Sequence, residues 1–179
     1  MTDLSLSPTS LVAVSPRALF ALRDRVGAQA LQEAGYAAGE GTYHAFARWL
    51  PTAAGVDDPR ELAAPRLAEV LSRFFSSLGW GSLDVQPVGA AAFAVDSTDW
   101  AEAQPGAGLA HPACFLTAGT LADFMSRLAD AGLAVMEVEC RSRGDARCRW
   151  LVGAPQTLTQ LYQHMAQGAD YRTVLGAGA

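Results

Sequence analysis

Cys140 and Cys148 flank the turn-forming pair Gly144-Asp145 in the stretch EVECRSRGDARC. The runs on either side, LAVMEVEC and RCRWLVG, carry strand-favouring residues, so the segment is expected to double back as an antiparallel hairpin. Cys148, Trp150 and Val152 then share one face of the returning strand, and Cys148 comes back across the hairpin toward Cys140. The chain is thereby restricted to folds with a β-hairpin that ends in a pair of thiols.

Glu137 stands three residues before Cys140, which in a regular strand sends the two to opposite faces: Leu133, Val135, Glu137 and Glu139 one way, Ala134, Met136, Val138 and Cys140 the other. They can share a site only if the strand bulges or ends near Glu139. A third thiol, Cys114 in HPACFLTAGT, arrives from a separate segment. Three thiolates and one carboxylate satisfy a tetrahedral zinc ion, with Zn to S about 2.3 Å and Zn to O about 2.0 to 2.2 Å. Such a site is anionic, and Arg141, Arg143, Arg147 and Arg149 are placed to offset its charge and donate to sulfur. From spacing alone two other readings stay open: buried cross-strand cysteines, or a disulfide between Cys140 and Cys148. His111 is an alternative fourth ligand to Glu137, whereas His44 and His164 show no partner pattern.

Composition narrows the classes. The chain of 179 residues is half hydrophobic, which fits one domain with a substantial core. Its formal charge is −5 and its thirteen basic residues, all arginines, are scattered apart from the cluster at 141 to 149, leaving no broad basic face for nucleic acid. The first twenty residues lack both a positive leader and a continuous apolar run, and no later stretch has the length of a membrane span. A cytoplasmic location is expected, where three cysteines read as thiols or metal ligands.

Along the chain, residues 1–14 are read as an extension and 15–79 as a helical part. Ser15-Pro16 starts a long first helix with Leu19, Leu22, Val26 and Ala30 at helical spacing. Gly35 and Gly39 permit close backbone approach in a segment that Pro51 is expected to end. A second helix starts at Asp57-Asp58-Pro59 and carries an apolar stripe through Phe74, Phe75 and Leu78. Residues 80–153 form a sheet with an inserted helix: a hairpin around Pro87-Val88-Gly89, a loop with a helical turn near Asp99 to Ala103, a helix from about Thr120 to Ala131, and the cysteine hairpin. Residues 154–179 are a final helix after Pro155 and a tail that frays. The composite is one α+β domain, an antiparallel sheet covered by helices on one side.

The run from CFLTAG to VMEVECRSRGDARCRWLVG resembles the 4-vinyl-reductase domain, a small-molecule-binding module also fused within phenol-responsive transcriptional activators; AGYAAGEGTYHAF is similar to the early helical region of the same family. The resemblance implies a fold shared with vesicle-tethering subunits of the TRAPP complex, commonly dimeric through its helices. It also implies a zinc held by an upstream cysteine and an E-x2-C-x7-C pattern, here Cys114, Glu137, Cys140 and Cys148. The phenol-binding relatives hold the hydroxyl with a histidine and a tryptophan. The histidine has no matched position here, and Phe93 stands in the tryptophan's place, so phenol specificity is not carried over.

Phe74, Phe75, Phe93, Val95, Phe124 and Val135 lie on the expected inward faces and are the candidate lining for a mostly apolar ligand; the competing reading is a solidly filled core. The expected function is a zinc-stabilised, homodimeric sensor or carrier of a small hydrophobic or aromatic molecule, signalling through a separate partner. One alternative is a tetrapyrrole-related 4-vinyl reductase or its accessory protein, although no G-x-G-x-x-G follows a strand. The other is a structural dimerisation adaptor.

Overall fold

The computed structural model describes residues 12–176. The outermost parts of the expected N-terminal extension and of the fraying tail lie outside the described residues. Ser15 caps α1 (Pro16–Arg23), accepting from the Ala18 N–H with Pro16 in the first turn. The expected long first helix is instead two helices: α1 ends at Asp24, and α2 (Ala28–Ala54) starts after Gly27. Pro51 does not end α2, which runs on to Ala54 and stops at Gly55 in the left-handed region (φ 74°). In the last turn a proline forgoes one N–H bond, while its own carbonyl still accepts from Gly55 N–H.

Asp58 caps only a 3-10 turn at Pro59–Glu61, so the acidic start noted in the sequence precedes the helix and does not begin it. The apolar stripe belongs to α3 (Ala64–Ser77), which buries Val70, Leu71, Phe74 and Phe75. Two hairpins follow, β1 (Asp84–Val88) with β2 (Ala92–Ser97), and β3 (Ala134–Glu139) with β4 (Cys148–Gly153). They join through β2 and β4 into an antiparallel sheet of order β1-β2-β4-β3. Between the hairpins lies α4 (Phe115–Ala129), and the chain closes with α5 (Pro155–Ala166) and the short α6 (Tyr171–Val174).

The α+β class is as expected, but helices cover both faces of the sheet. One face packs Val95, Trp150 and Val152 against Phe46, Phe74, Phe75, Leu121 and Phe124 from α2, α3 and α4. The other packs Val88, Ala94, Val138 and Leu151 against Leu158 and Leu161 of α5 and Tyr171 of α6. The burial of β4 gives the reason: every residue from Cys148 to Gly153 is buried, so both of its faces need cover. On the second face Arg149 binds Asp96 through two bonds of 2.7 and 2.6 Å and donates to the Tyr171 hydroxyl, which in turn donates to Glu139.

The long α2 lies directly against α4. A Cβ placed on Gly35 would stand 2.0 Å from the Leu116 carbonyl oxygen, and one on Gly119 would stand 2.0 Å from that of Gln32. Only glycine permits this approach, which sets where α4 begins relative to α2. Among the described residues no helix is long and apolar enough to cross a membrane.

Candidate metal centre

The start of α4 is where the site is built. The sequence pattern places that start near Thr120, yet the helix begins at Phe115. The Glu102 carboxylate, 4 % exposed, accepts from the N–H groups of Leu116 and Thr117 at 2.9 and 2.8 Å, satisfying donors that a helix start leaves free. Burial pushes the Glu102 carboxyl up even so. The Thr117 hydroxyl also donates to Glu102 and accepts from the indole of Trp100. Cys114 occupies the N-cap position, immediately before the first helical turn.

The cysteine hairpin supplies the rest. Its register shifts between Glu137, opposite Trp150, and Glu139, opposite Arg149. The bulge turns Val138 and Glu139 both toward the second face and returns Cys140 to the first, so Glu137 and Cys140 reach the same side. Beyond the bulge the backbone closes a tight turn, with the N–H groups of Arg143 and Asp145 donating to the Cys140 carbonyl.

Cys114, Glu137, Cys140 and Cys148 thus meet, with one ligand atom from each all within 4.8 Å of one another. The three cysteines are free and buried. Cys114 Sγ lies 3.9 Å from both Cys140 Sγ and Cys148 Sγ. Sulfurs about 2.3 Å from a tetrahedral metal are about 3.8 Å apart, so the thiols stand at coordination spacing and far from the ~2.05 Å of a disulfide. Glu137 Oε2 accepts from the Cys114 N–H at 2.8 Å, while its Oε1 is buried with no hydrogen-bond partner. A buried carboxylate oxygen aimed into three thiols and left unpaired fits a metal ligand.

The electrostatics agree. Burial, with the neighbouring Cys140, pushes the Glu137 carboxyl up to about 9. Hydrogen bonds with Cys140 and Cys148, and burial, push the Cys114 thiol up; the Cys148 thiol is lowered by its bond with Cys114 but raised on balance by its bond with Cys140 and burial. Cys140 moves the other way, since Cys114, Cys148 and the Ala113 N–H all favour its thiolate. Four acids cannot all ionise in one buried cluster, so the metal-free site holds protons at neutral pH. A carboxyl raised in the fold binds its proton more tightly than in the unfolded chain. Glu137 therefore makes metal-free stability fall as pH rises from about 4.3 toward 9. Metal binding must expel these protons. Calorimetric titration with zinc in buffers of different ionisation enthalpy is expected to show more than one proton released at pH 7 and an affinity that rises with pH.

Arg143, Arg147 and Arg149 do not have the role expected of them. Arg143 bonds Asp145 and the Val138 carbonyl, Arg147 bonds Glu139 and Asp96, and Arg149 bonds Asp96. Arg147 and Arg149 flank Cys148 and so point to the opposite face of the hairpin, toward carboxylates, and backbone N–H groups serve the sulfurs: Ala113 toward Cys140 and Arg141 toward Cys148. His111 is exposed and outside the cluster, so Glu137 is the fourth member; His44 and His164 are exposed on helices.

The six apolar candidates divide. Phe74, Val95, Phe124 and Val135 are buried in the core of the first face and Phe93 is half-buried against it, while Phe75 faces a cavity. That half-open cavity, about 540 Å³, lies between the segment before α1, the middle of α2, the end of α3 and the start of α4. Leu19, Trp80 and Leu116 contribute to its wall. These residues escape a sequence reading because they come from four separate elements. Glu102 escapes it because a cap from fourteen residues away leaves no local pattern.

Residues 101–154 match the 4-vinyl-reductase domain family. The chain has the fold of that domain. The matched segment contains Glu102 and all four residues of the metal cluster. The phenol-responsive sensory domain of the transcription activator PoxR, solved with phenol, superposes with a TM-score of 0.57 at 16 % identity, covering 80 % of this chain and 76 % of that one. A trafficking protein particle complex subunit 3 from Naegleria fowleri, covalently bound to palmitic acid, gives 0.54 at 14 %, covering 76 % and 87 %. A vinyl-4-reductase family protein from Methanocaldococcus jannaschii gives 0.48 at 19 %, covering 76 % and 77 %. Comparison with curated proteins gave no match.

Proposed function

We propose that this 4-vinyl-reductase-type domain is a zinc-stabilised binding module for a small hydrophobic or aromatic molecule, acting as a sensor or carrier. One observation carries the reading: the metal cluster and the cavity share the first turns of α4. Cys114 belongs to the cluster, and Leu116 and Thr120, two and six residues on, form part of the cavity wall. Three thiolates and a carboxylate suit zinc, and four protein ligands close a tetrahedral sphere, so the ion would fix the start of α4 and leave chemistry aside. Glu102 holds the same turn from the other side.

In this reading Phe75 touches the ligand, and Phe74 and Phe124, whose rings meet it edge-on at 5.3 and 5.5 Å, hold its position. Phe93, Val95 and Val135 back this layer from the sheet. The proposal includes a cytoplasmic homodimer formed through the helices, where Leu22 and Tyr36 are exposed, and a separate protein that receives the signal. Native mass spectrometry of the purified chain weighs subunits, metal and retained ligand together. A dimer with one zinc per chain and an added small mass is expected. A metal-free chain with no added mass overturns the reading.

A further inference from the structure

We infer that the loop of residues 99–109 couples the cavity to the metal centre, so that zinc and a cavity ligand each tighten the other's binding. This rests on the cavity and the cluster both being binding sites and adds how one regulates the other. Glu102 is the loop's positioning residue, and no residue of the loop belongs to the cluster.

The loop starts at the cavity. Ala101 is part of the wall, and its N–H donates at 2.8 Å to the carbonyl of Trp80, another wall residue. Trp100, 3 % exposed, stacks on Trp80 with ring centroids 5.5 Å apart. Its indole N–H donates at 2.7 Å to the Thr117 hydroxyl, which donates in turn to Glu102. Contacts through Trp80, Trp100 and Thr117 thus run without a gap from the wall to the carboxylate that holds the first turn of α4.

The same loop is fastened to the two segments that bring the cluster together. On the α4 side, Glu102 holds the N–H groups of Leu116 and Thr117 beside Cys114, whose own side chain makes no capping bond. On the hairpin side, Ser142 is fully buried two residues beyond Cys140. Its hydroxyl accepts the Gln104 N–H at 2.8 Å and its carbonyl accepts the Leu109 N–H at 3.0 Å. Helix ends fray unless their free N–H groups are held, so the first turn of α4 has a held and a loosened arrangement. Leu116 places that turn in the cavity wall, and Cys114 places it in the cluster. Filling either site orders the turn and the loop behind it, and the second binding event then has less freedom left to remove. Coupling of this kind is positive, and it is reciprocal by linkage.

Fluorescence titration of the full chain with N-phenyl-1-naphthylamine, an uncharged apolar fluorophore, in zinc-saturated and metal-free forms tests this. The wild type is expected to bind the fluorophore at least about fivefold more tightly with zinc than without. Thr117→Val keeps the side chain's shape and removes the hydroxyl between Trp100 and Glu102, and it is expected to bring that ratio below about twofold. A merely structural role for Thr117 would weaken both forms alike and leave the ratio in place. Equal affinity of the two wild-type forms overturns the coupling and leaves both sites standing, and a ratio that survives Thr117→Val overturns the loop as its route. Failure of the fluorophore to bind either wild-type form overturns the cavity reading and the inference with it; failure of the wild type to take up zinc does the same from the metal side. Should Thr117→Val not fold, Ser142→Ala removes the hydroxyl that fastens the loop to the hairpin and is expected to lower the ratio likewise; an unchanged ratio in that variant overturns the route equally.

Discussion

Cys148→Ser is expected to reduce zinc affinity by at least about 100-fold and to withdraw about 2.7 kcal/mol or more of metal-linked stability, lowering the melting temperature by about 5 to 10 °C. Cys148 is the cluster's contribution from β4, the strand that pairs with both β2 and β3 and lies buried on both faces. Serine keeps the side chain's size but offers a neutral hydroxyl in place of a thiolate, so the remaining three ligands face the ion with an open position. Without the ion the apolar faces of the sheet persist, so the loss falls on the corner formed by the 140 to 145 turn and the start of α4. Cys140→Ser is expected to behave alike. Zinc content by plasma mass spectrometry together with thermal melting decides the matter: unchanged metal content and melting temperature in both variants would refute a zinc centre here.

The sequence makes this corner legible because its signals are local. The hairpin, and with it the approach of Cys148 to Cys140, follows from two strand-favouring runs about Gly144-Asp145, while the choice of Glu137 and Cys114 as the other members comes with the pattern that the family resemblance implies. The bulge is readable only as a condition, that Glu137 and Cys140 share a site if the strand departs from strict alternation, and the register shift meets that condition. Alternation already puts Arg147 and Arg149 on the face opposite Cys148; what it does not name is their partners, Asp96, from a strand about fifty residues away, and Glu139, which the bulge turns outward. Long-range partners account for the other departures as well. Glu102 moves the start of α4 five residues earlier than its apolar pattern indicates, and α5 with α6 covers a sheet face whose need for cover shows only in the burial of β4 on both sides. The cavity depends on how separate elements meet, and no periodicity within one element encodes that.

Gly35→Ala joins these levels in a single test. Its methyl group would lie 2.0 Å from the Leu116 carbonyl oxygen and 2.9 Å from the carbonyl carbon, and both are backbone atoms that no rotamer change can move aside. Helix propensity alone would make the change favourable by up to about 1 kcal/mol, since alanine replaces glycine within α2. Steric conflict in a packed contact costs about 1 to 3 kcal/mol, toward the upper end where backbone must shift, so the net expectation is a loss of about 2 kcal/mol in urea unfolding. Gly27→Ala, with nothing within 4 Å of the added methyl, is the control and is expected to change stability by less than about 1 kcal/mol. The site gives the variant a second readout. Leu116 lies two residues after Cys114 and its N–H is held by Glu102, so displacing it tilts the turn that positions the cluster's first cysteine and one wall of the cavity together. A Gly35→Ala protein that folds is therefore expected to bind zinc at least about tenfold more weakly than wild type, although Gly35 touches no ligand of the metal. Wild-type zinc affinity combined with the stability loss would separate the helix contact from the metal centre and break the link between them on which the proposed function depends.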